Sequence, residues 1–242
     1  MKLDILALAV HPDDVELSCA GTLMAHAAQG MQVGVVDLTR GELGTRGTPE
    51  LRAKEAQAAA KVMGLAVREN LELADGFFRN DTMEQMAIIK AIRKFQPDIV
   101  LANAIDDRHP DHGRAAKLIA DSCFLAGLRK VETTLDGLPQ TAWRPKQVFH
   151  FIQDRYHTPD FVVDITPFIE RKMEAIKSFS SQFLAAQDNE PQTYISSPAF
   201  FDSVVNRDRM LGKMVGVQYA EGYTSAKMVG IRSFADLINE VT

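Results

Sequence analysis

The 242-residue chain has little cysteine, no long apolar run, no block of like charge and no glycine before Gly21. Its two cysteines, Cys19 and Cys123, stand far apart in helix-like patterns and form no Cys-x-x-Cys pair, so they read as packed thiols rather than a disulfide or a metal pair. The apolar stretch Ile5 to Val10 is too short to span a bilayer, and no basic, apolar and small-residue cleavage segments follow one another there. A cytoplasmic location is the default expectation. Lys and Arg total 27 against 32 Asp and Glu, a net charge of -5 without clustering, which argues against nucleic acid or an anionic membrane as partner. A dinucleotide-binding loop needs glycines directly after the first strand, and Gly21 comes too late for one. Neither a repeat nor a low-complexity linker divides the chain, so a single domain over 1–242 is expected.

What is present is an alternation of period two and period 3.6. Strand-like runs fall at Asp4–Val10, Gln32–Leu38, Glu69–Leu73 and Asp98–Ala102, and helix-like stretches at about Glu16–Gln29, Glu50–Met63, Met83–Phe95 and Gly113–Leu128. Gly30 and Gly64 close helices, and Pro49 behind Thr48 opens one. Further strands are expected at Lys146–Ile152 and Phe161–Ile165, then a helix over Phe168–Phe179 with Thr166 as its N-cap, an irregular polar stretch Ser180–Pro198, and a last helix over Phe200–Val217. The βαβα order implies an α/β fold, Rossmann-like, with a mostly parallel sheet and helices on both faces.

Two motifs carry the chemistry. His11-Pro12-Asp13-Asp14-Val15-Glu16 follows the first strand, and Asp106-Asp107-Arg108-His109-Pro110-Asp111-His112 follows the fourth. In the doubly wound order 3-2-1-4 those strands are neighbours, and ligands bind outside their carboxyl ends. Each motif alone has a plainer explanation, since Asp13 or Asp14 can cap a helix and His112 can be a surface residue. Together they offer two histidines and a carboxylate to a first-row metal and leave a position open, the pattern of a catalytic zinc site.

At these residues, and at Asp37 to Gly44, Gly47 to Arg52 and the Tyr219-Ala220-Glu221-Gly222 segment, the chain resembles the LmbE-like or PIG-L-like deacetylases. Among them it is most similar to the enzymes that deacetylate N-acetylglucosaminyl malate on the bacillithiol route. The resemblance implies zinc held by His11, Asp14 and His112, with iron(II) suited to the same donors. It makes Asp13 the general base and His109 the residue that stabilises the oxyanion and acts as acid, oriented by Asp111. It also implies a homo-oligomer with a small amino-sugar substrate.

A metal ion there lowers the pKa of a water toward about 7, and Asp13, the carboxylate left over, is placed to take its proton. A carboxylate beside His109 would favour the imidazolium. Arg52 and Arg108 can pair with a substrate carboxylate, and Glu42 and Tyr194 are further candidates for substrate contact. Phe200, Phe201 and Ile195 to Pro198 are candidate walls of the sugar pocket. His26, His150 and His157 lack ligand-type neighbours and are not expected to bind the metal. Other N-acetylglucosaminides are the alternative substrates. A metal-dependent phosphoesterase is a rival for which Asp106 and Asp107 would have to complete a second metal site, and a sugar-binding protein without turnover is another.

Overall fold

The computed structural model describes residues 1–183 and 190–237. In chain order it contains β1 (Ile5–Ala9), α1 (Asp14–Ser18), α2 (Ala20–Ala28), β2 (Val33–Thr39), α3 (Pro49–Met63), β3 (Val67–Leu73), α4 (Thr82–Phe95) and β4 (Ile99–Ala102). Then come α5 (Pro110–Ala126), β5 (Thr134–Leu135), β6 (Leu138–Pro139), β7 (Gln147–Phe151), β8 (Phe161–Asp164), α6 (Ile169–Lys177), α7 (Ser180–Phe183), α8 (Pro198–Met214) and β9 (Ala220–Ser225).

One seven-stranded sheet runs in the order β3-β2-β1-β4-β7-β9-β8. Its first five strands are parallel, and β9 pairs antiparallel with both β7 and β8. Every residue of β1 and β2 is buried, because a parallel sheet has helices on both faces. Alternation then sorts β1: Ile5, Ala7 and Ala9 join the cluster beneath α1, α2, α3 and α6, whereas Leu6, Leu8 and Val10 join the one beneath α4 and α5. Each fully buried leucine contributes roughly 1.5–3 kcal/mol of transfer free energy. The register pairs Leu8 with Ala102 and Ala102 with His150, so β1, β4 and β7 end at one level. Both cysteines are buried free thiols. Among the described residues no helix is long and apolar enough to cross a membrane.

The α/β architecture and the 3-2-1-4 core follow the sequence pattern; several boundaries do not. The helix expected over Glu16–Gln29 breaks at Cys19, whose φ of -144° is not helical. Glu221 on β9 explains the break, since its carboxylate accepts from Gly21 N at 3.0 Å and Thr22 N at 2.7 Å and caps α2 from across the molecule. Thr166 is not the N-cap of α6; it lies in a 3-10 turn, Thr166–Phe168, and its amide donates to Asp164 Oδ1. The last helix starts earlier than Phe200 because Ser197 Oγ accepts from Phe200 N and Pro198 sits at the first helical position. It ends at Met214, ahead of Gly216. Of the stretch expected to be irregular, Ser180–Phe183 is helical, 190–197 carries no helix or strand, and 184–189 lies outside the described residues. The expected single domain likewise extends into 238–242, outside the described residues.

Candidate metal and catalytic site

At the carboxyl edge of the sheet a cavity of about 730 Å³ opens over β1, β3, β4 and β7, with α8 forming its far wall. His11 leaves β1 and His112 lies in the first turn of α5. His11 Nδ1 is 3.7 Å from Asp14 Oδ2, and His112 Nε2 is 3.2 Å from Asp14 Oδ1. Donor atoms around a tetrahedral zinc lie about 3.3 Å apart, which follows from bonds of 2.0–2.1 Å. The three side chains of the sequence expectation therefore lie together, each histidine within about that separation of one Asp14 oxygen.

Each histidine carries a carboxylate on its other nitrogen. His11 Nε2 meets Asp75 Oδ1 at 3.0 Å, and His112 Nδ1 meets Asp107 Oδ2 at 2.5 Å. Such partners fix the tautomer and turn the inner nitrogen toward a metal. Asp14 is held as firmly, accepting from Asn103 Nδ2 at 3.0 Å, Gln153 Nε2 at 2.6 Å and His11 N at 3.0 Å. Burial opposes charge on both histidines, yet hydrogen bonds and charge from Asp14 with Asp75 or Asp107 outweigh it and raise His11 to about 10 and His112 to about 9. Burial likewise opposes the Asp14 carboxylate, but the two histidines hold it well below its ordinary value. A donor set that grips protons this tightly favours a cation, and the residues fit a divalent metal.

Asp13 stands beside this group with a φ of 138°, a backbone state that favours glycine. Burial pushes its carboxyl up to about 7, against the lowering influence of Arg52. His109 caps α5 by accepting Asp111 N on Nδ1 at 3.3 Å, so its proton resides on Nε2. Its ring centroid is 4.8 Å from that of His11 and 5.2 Å from that of His112. His11, His109 and His112 each offer a ring nitrogen within 4.8 Å of one another, so His109 shares the centre.

Several expectations are corrected here. The Asp111 carboxylate does not orient the His109 ring: Oδ1 pairs with Arg114 at 2.8 Å and Oδ2 accepts from Gly76 N at 2.9 Å. Burial first, and then the charges of His11 and His112, lower His109 below its ordinary value, so the imidazolium is disfavoured. Arg52 lines the cavity but is buried, with Nη2 donating to Pro12 O at 2.7 Å and Asp13 Oδ2 at 3.0 Å and Nη1 to Gly41 O at 3.3 Å, so its guanidinium serves the Asp13 loop. Glu42 is exposed and outside the cavity, its Oε1 accepting from Asp75 N. Arg108 and Tyr194 do meet at the cavity mouth, the guanidinium 4.6 Å above the ring, and both bind Asp154. Ile195 and Phe200 line the cavity; Phe201 packs on Phe183 instead.

Asp75, Asn103 and Gln153 were missed, and each lies just beyond the carboxyl end of a parallel strand. Their placement there is the signal that could have found them. Asp106 and Asp107 are otherwise used, Asp106 pairing with Arg155 and Asp107 with His112. His26, His150 and His157 bond to backbone carbonyls of Thr22, Asn103 and Asp106.

A family model described as GlcNAc-PI de-N-acetylase, PIG-L, matches residues 6–123, the part that carries β1 to β4 and both histidine motifs. A conserved protein from Thermus thermophilus shares the fold with a TM-score of 0.84 and 35% identity, covering 95% of this chain and 97% of that one. The chain belongs to the PIG-L family. The family model takes its description from a de-N-acetylase, and several of the curated relatives are named as deacetylases. A diacetylchitobiose deacetylase from Thermococcus kodakarensis is 27% identical over 230 residues, 90% of this chain and 81% of that protein. A 4-oxalmesaconate hydratase from Pseudomonas putida is 27% identical over 193 residues, 73% of each chain.

Proposed function

We propose that this PIG-L protein hydrolyses the N-acetyl amide of an N-acetylglucosamine derivative, with zinc held by His11, Asp14 and His112. The observation that carries the reading is the pair of carboxylate-backed histidines whose inner nitrogens lie 3.7 and 3.2 Å from Asp14, with a second carboxylate, Asp13, left beside them. When bound, the metal supplies a Lewis acid for the acetyl carbonyl and a more acidic water. Asp13 takes the proton of the attacking water; a carboxyl near 7 accepts and returns a proton at neutral pH. His109, neutral and with its proton on Nε2, donates to the oxygen that gains charge. Arg52 keeps Asp13 in place, and burial excludes bulk water from both groups.

The finer reading is a malate glycoside in the cytoplasm on the bacillithiol route. Arg108 is the arginine that supports it, since its terminal nitrogens have no hydrogen-bond partner among the described residues. The hydratase relative supports a second reading, in which the same centre adds water to an unsaturated acid. Acetate release from N-acetylglucosaminyl malate, N-acetylglucosamine and diacetylchitobiose, with and without chelator, tests the proposal. Chelator-sensitive acetate release is expected; hydration of an unsaturated diacid with no acetate from any sugar would overturn it.

A further inference from the structure

The loop after β3 carries the partner of His11: Asp75 accepts from Leu43 N at 2.9 Å and donates its amide to Glu42 Oε1 at 2.9 Å, and the turn that follows it is held from α5. Asp75 precedes Gly76, whose φ of +70° makes the tight turn. Asp111 Oδ2 accepts from Gly76 N at 2.9 Å, while Arg114 Nη1 donates to Gly76 O at 2.9 Å and Phe78 O at 3.3 Å. Asp111 and Arg114, one helical turn apart, pair at 2.8 Å, and the Arg114 guanidinium lies 5.2 Å above the Phe78 ring. Both peptide groups of Gly76 are therefore gripped by one ion pair. Asp111 is fully buried and does not line the cavity. Its hydrogen bond to the His109 ring comes from the backbone amide, which no change of its side chain removes, while its carboxylate acts on His109 through charge and stands 4.0 Å from His11 Nε2.

We infer that Asp111 and Arg114 form a latch that positions His11 through Gly76 and Asp75, and that the Asp111 side chain serves the metal site by this route. This rests on the proposed metal centre. The outer partner of a histidine ligand sets its ring orientation, and a partner on a glycine turn is only as fixed as the turn. Asp75 and Asp111 also place carboxylate oxygens within 4.8 Å of His11 and of each other. Without Arg114 that crowding of negative charge drives the loop away from α5.

Arg114→Met and Asp111→Ala, made singly and together in the full chain, test the latch by competition titration of zinc against a chromogenic chelator and by the pH profile of kcat/KM at saturating zinc. Each single variant is expected to weaken zinc binding by about 10–100-fold, the range for partners of metal-ligating histidines. The double variant is expected to lose no more than the worse single one, because both cut the same connection. The pH profile of Arg114→Met should keep its limbs. Parental zinc affinity in Arg114→Met, or a displaced limb in Asp111→Ala with unchanged zinc affinity, overturns the latch. Arg114 is partly exposed, so its variant decides the matter should Asp111→Ala fail to fold. The zinc arm needs no substrate, and a parent enzyme that releases no acetate would defeat the proposed function while leaving this test readable.

Discussion

Arg52 Nη2 lies 3.0 Å from Asp13 Oδ2 and 2.7 Å from Pro12 O, so one guanidinium holds both the carboxylate and the peptide that presents it. The arrangement matters because Asp13 occupies a backbone state that costs about 1–3 kcal/mol for a residue with a side chain. An arginine reaching across from α3 compensates by fixing the loop, where a lysine would offer a point charge instead of a fork.

Asp13→Asn should bind zinc with the parental stoichiometry while acetate release falls by about 10²–10⁴-fold, the range for a general base. Metal analysis beside a turnover assay checks it; undiminished turnover would mean that another group takes the proton.

Asp13→Gly and Asp13→Ala both lose the carboxylate, so their difference reports the backbone alone. At a φ of 138° glycine should be the more stable by about 1 kcal/mol, or about 2–4 °C in Tm for a chain of this size. An alanine variant that melts at or above the glycine variant contradicts the strain.

After removal of metal by chelation, His11 and His112 titrate near 10 and near 9, above the value of about 6.5 in an unfolded chain. Folded values raised in this way stabilise the apo fold fully below about pH 6.5, and the stabilisation is lost as pH rises through 9 to 10. The apo Tm should fall between neutral and alkaline pH. Zinc must displace those protons, so its affinity should rise over the same interval and binding should acidify a weakly buffered solution. Calorimetric melts and proton-release titrations measure both, and an apo Tm that climbs with pH would refute the assignment.

Lys172 is fully buried, 2.6 Å from Asp208 Oδ2 and 2.8 Å from Glu221 Oε1. Lys172→Met removes the cation between two buried carboxylates, leaving Asp208 with Arg207 at 3.4 Å and Glu221 with the amides of Gly21 and Thr22, and should destabilise the fold by about 3 kcal/mol in denaturant unfolding. Asp208 is pushed upward by burial and held down by Lys172, so its protonation can absorb part of that loss at low pH.

Arg108→Ala removes a side chain from the cavity mouth that is half exposed, so stability should stay within about 0.5 kcal/mol. If the substrate is anionic, KM should rise with little change in kcat. Steady-state kinetics on malate and neutral glycosides separate the cases: an equal effect on both removes Arg108 from charge recognition.

The sequence exposed what depends on local pattern. Apolar runs with helices between them specify the parallel order, and that order alone brings the loops of His11 and His112 to one edge of the sheet. Asp75, Asn103 and Gln153 escaped because a single polar residue after a strand resembles any loop residue until the strands are aligned. β9 escaped because Ala220–Ser225 lacks an alternating apolar pattern: its Glu221 points inward to Lys172 and the start of α2. The break at Cys19 has the same cause, a cap supplied from 200 residues away. The β5–β6 hairpin is legible in Asp136-Gly137, both at positive φ, a turn signal between two short strands.

Because His11, Asp75, Asn103 and Gln153 hang from four different strand ends while Tyr194 to Met210 supply much of the opposite wall, the two sides of the cavity come from different pieces of chain, riveted together where Arg207 donates to Gln153 O and Leu17 O. Exchange of that wall for a foreign segment should then alter the cavity without disturbing the floor only where the incoming segment keeps that arginine.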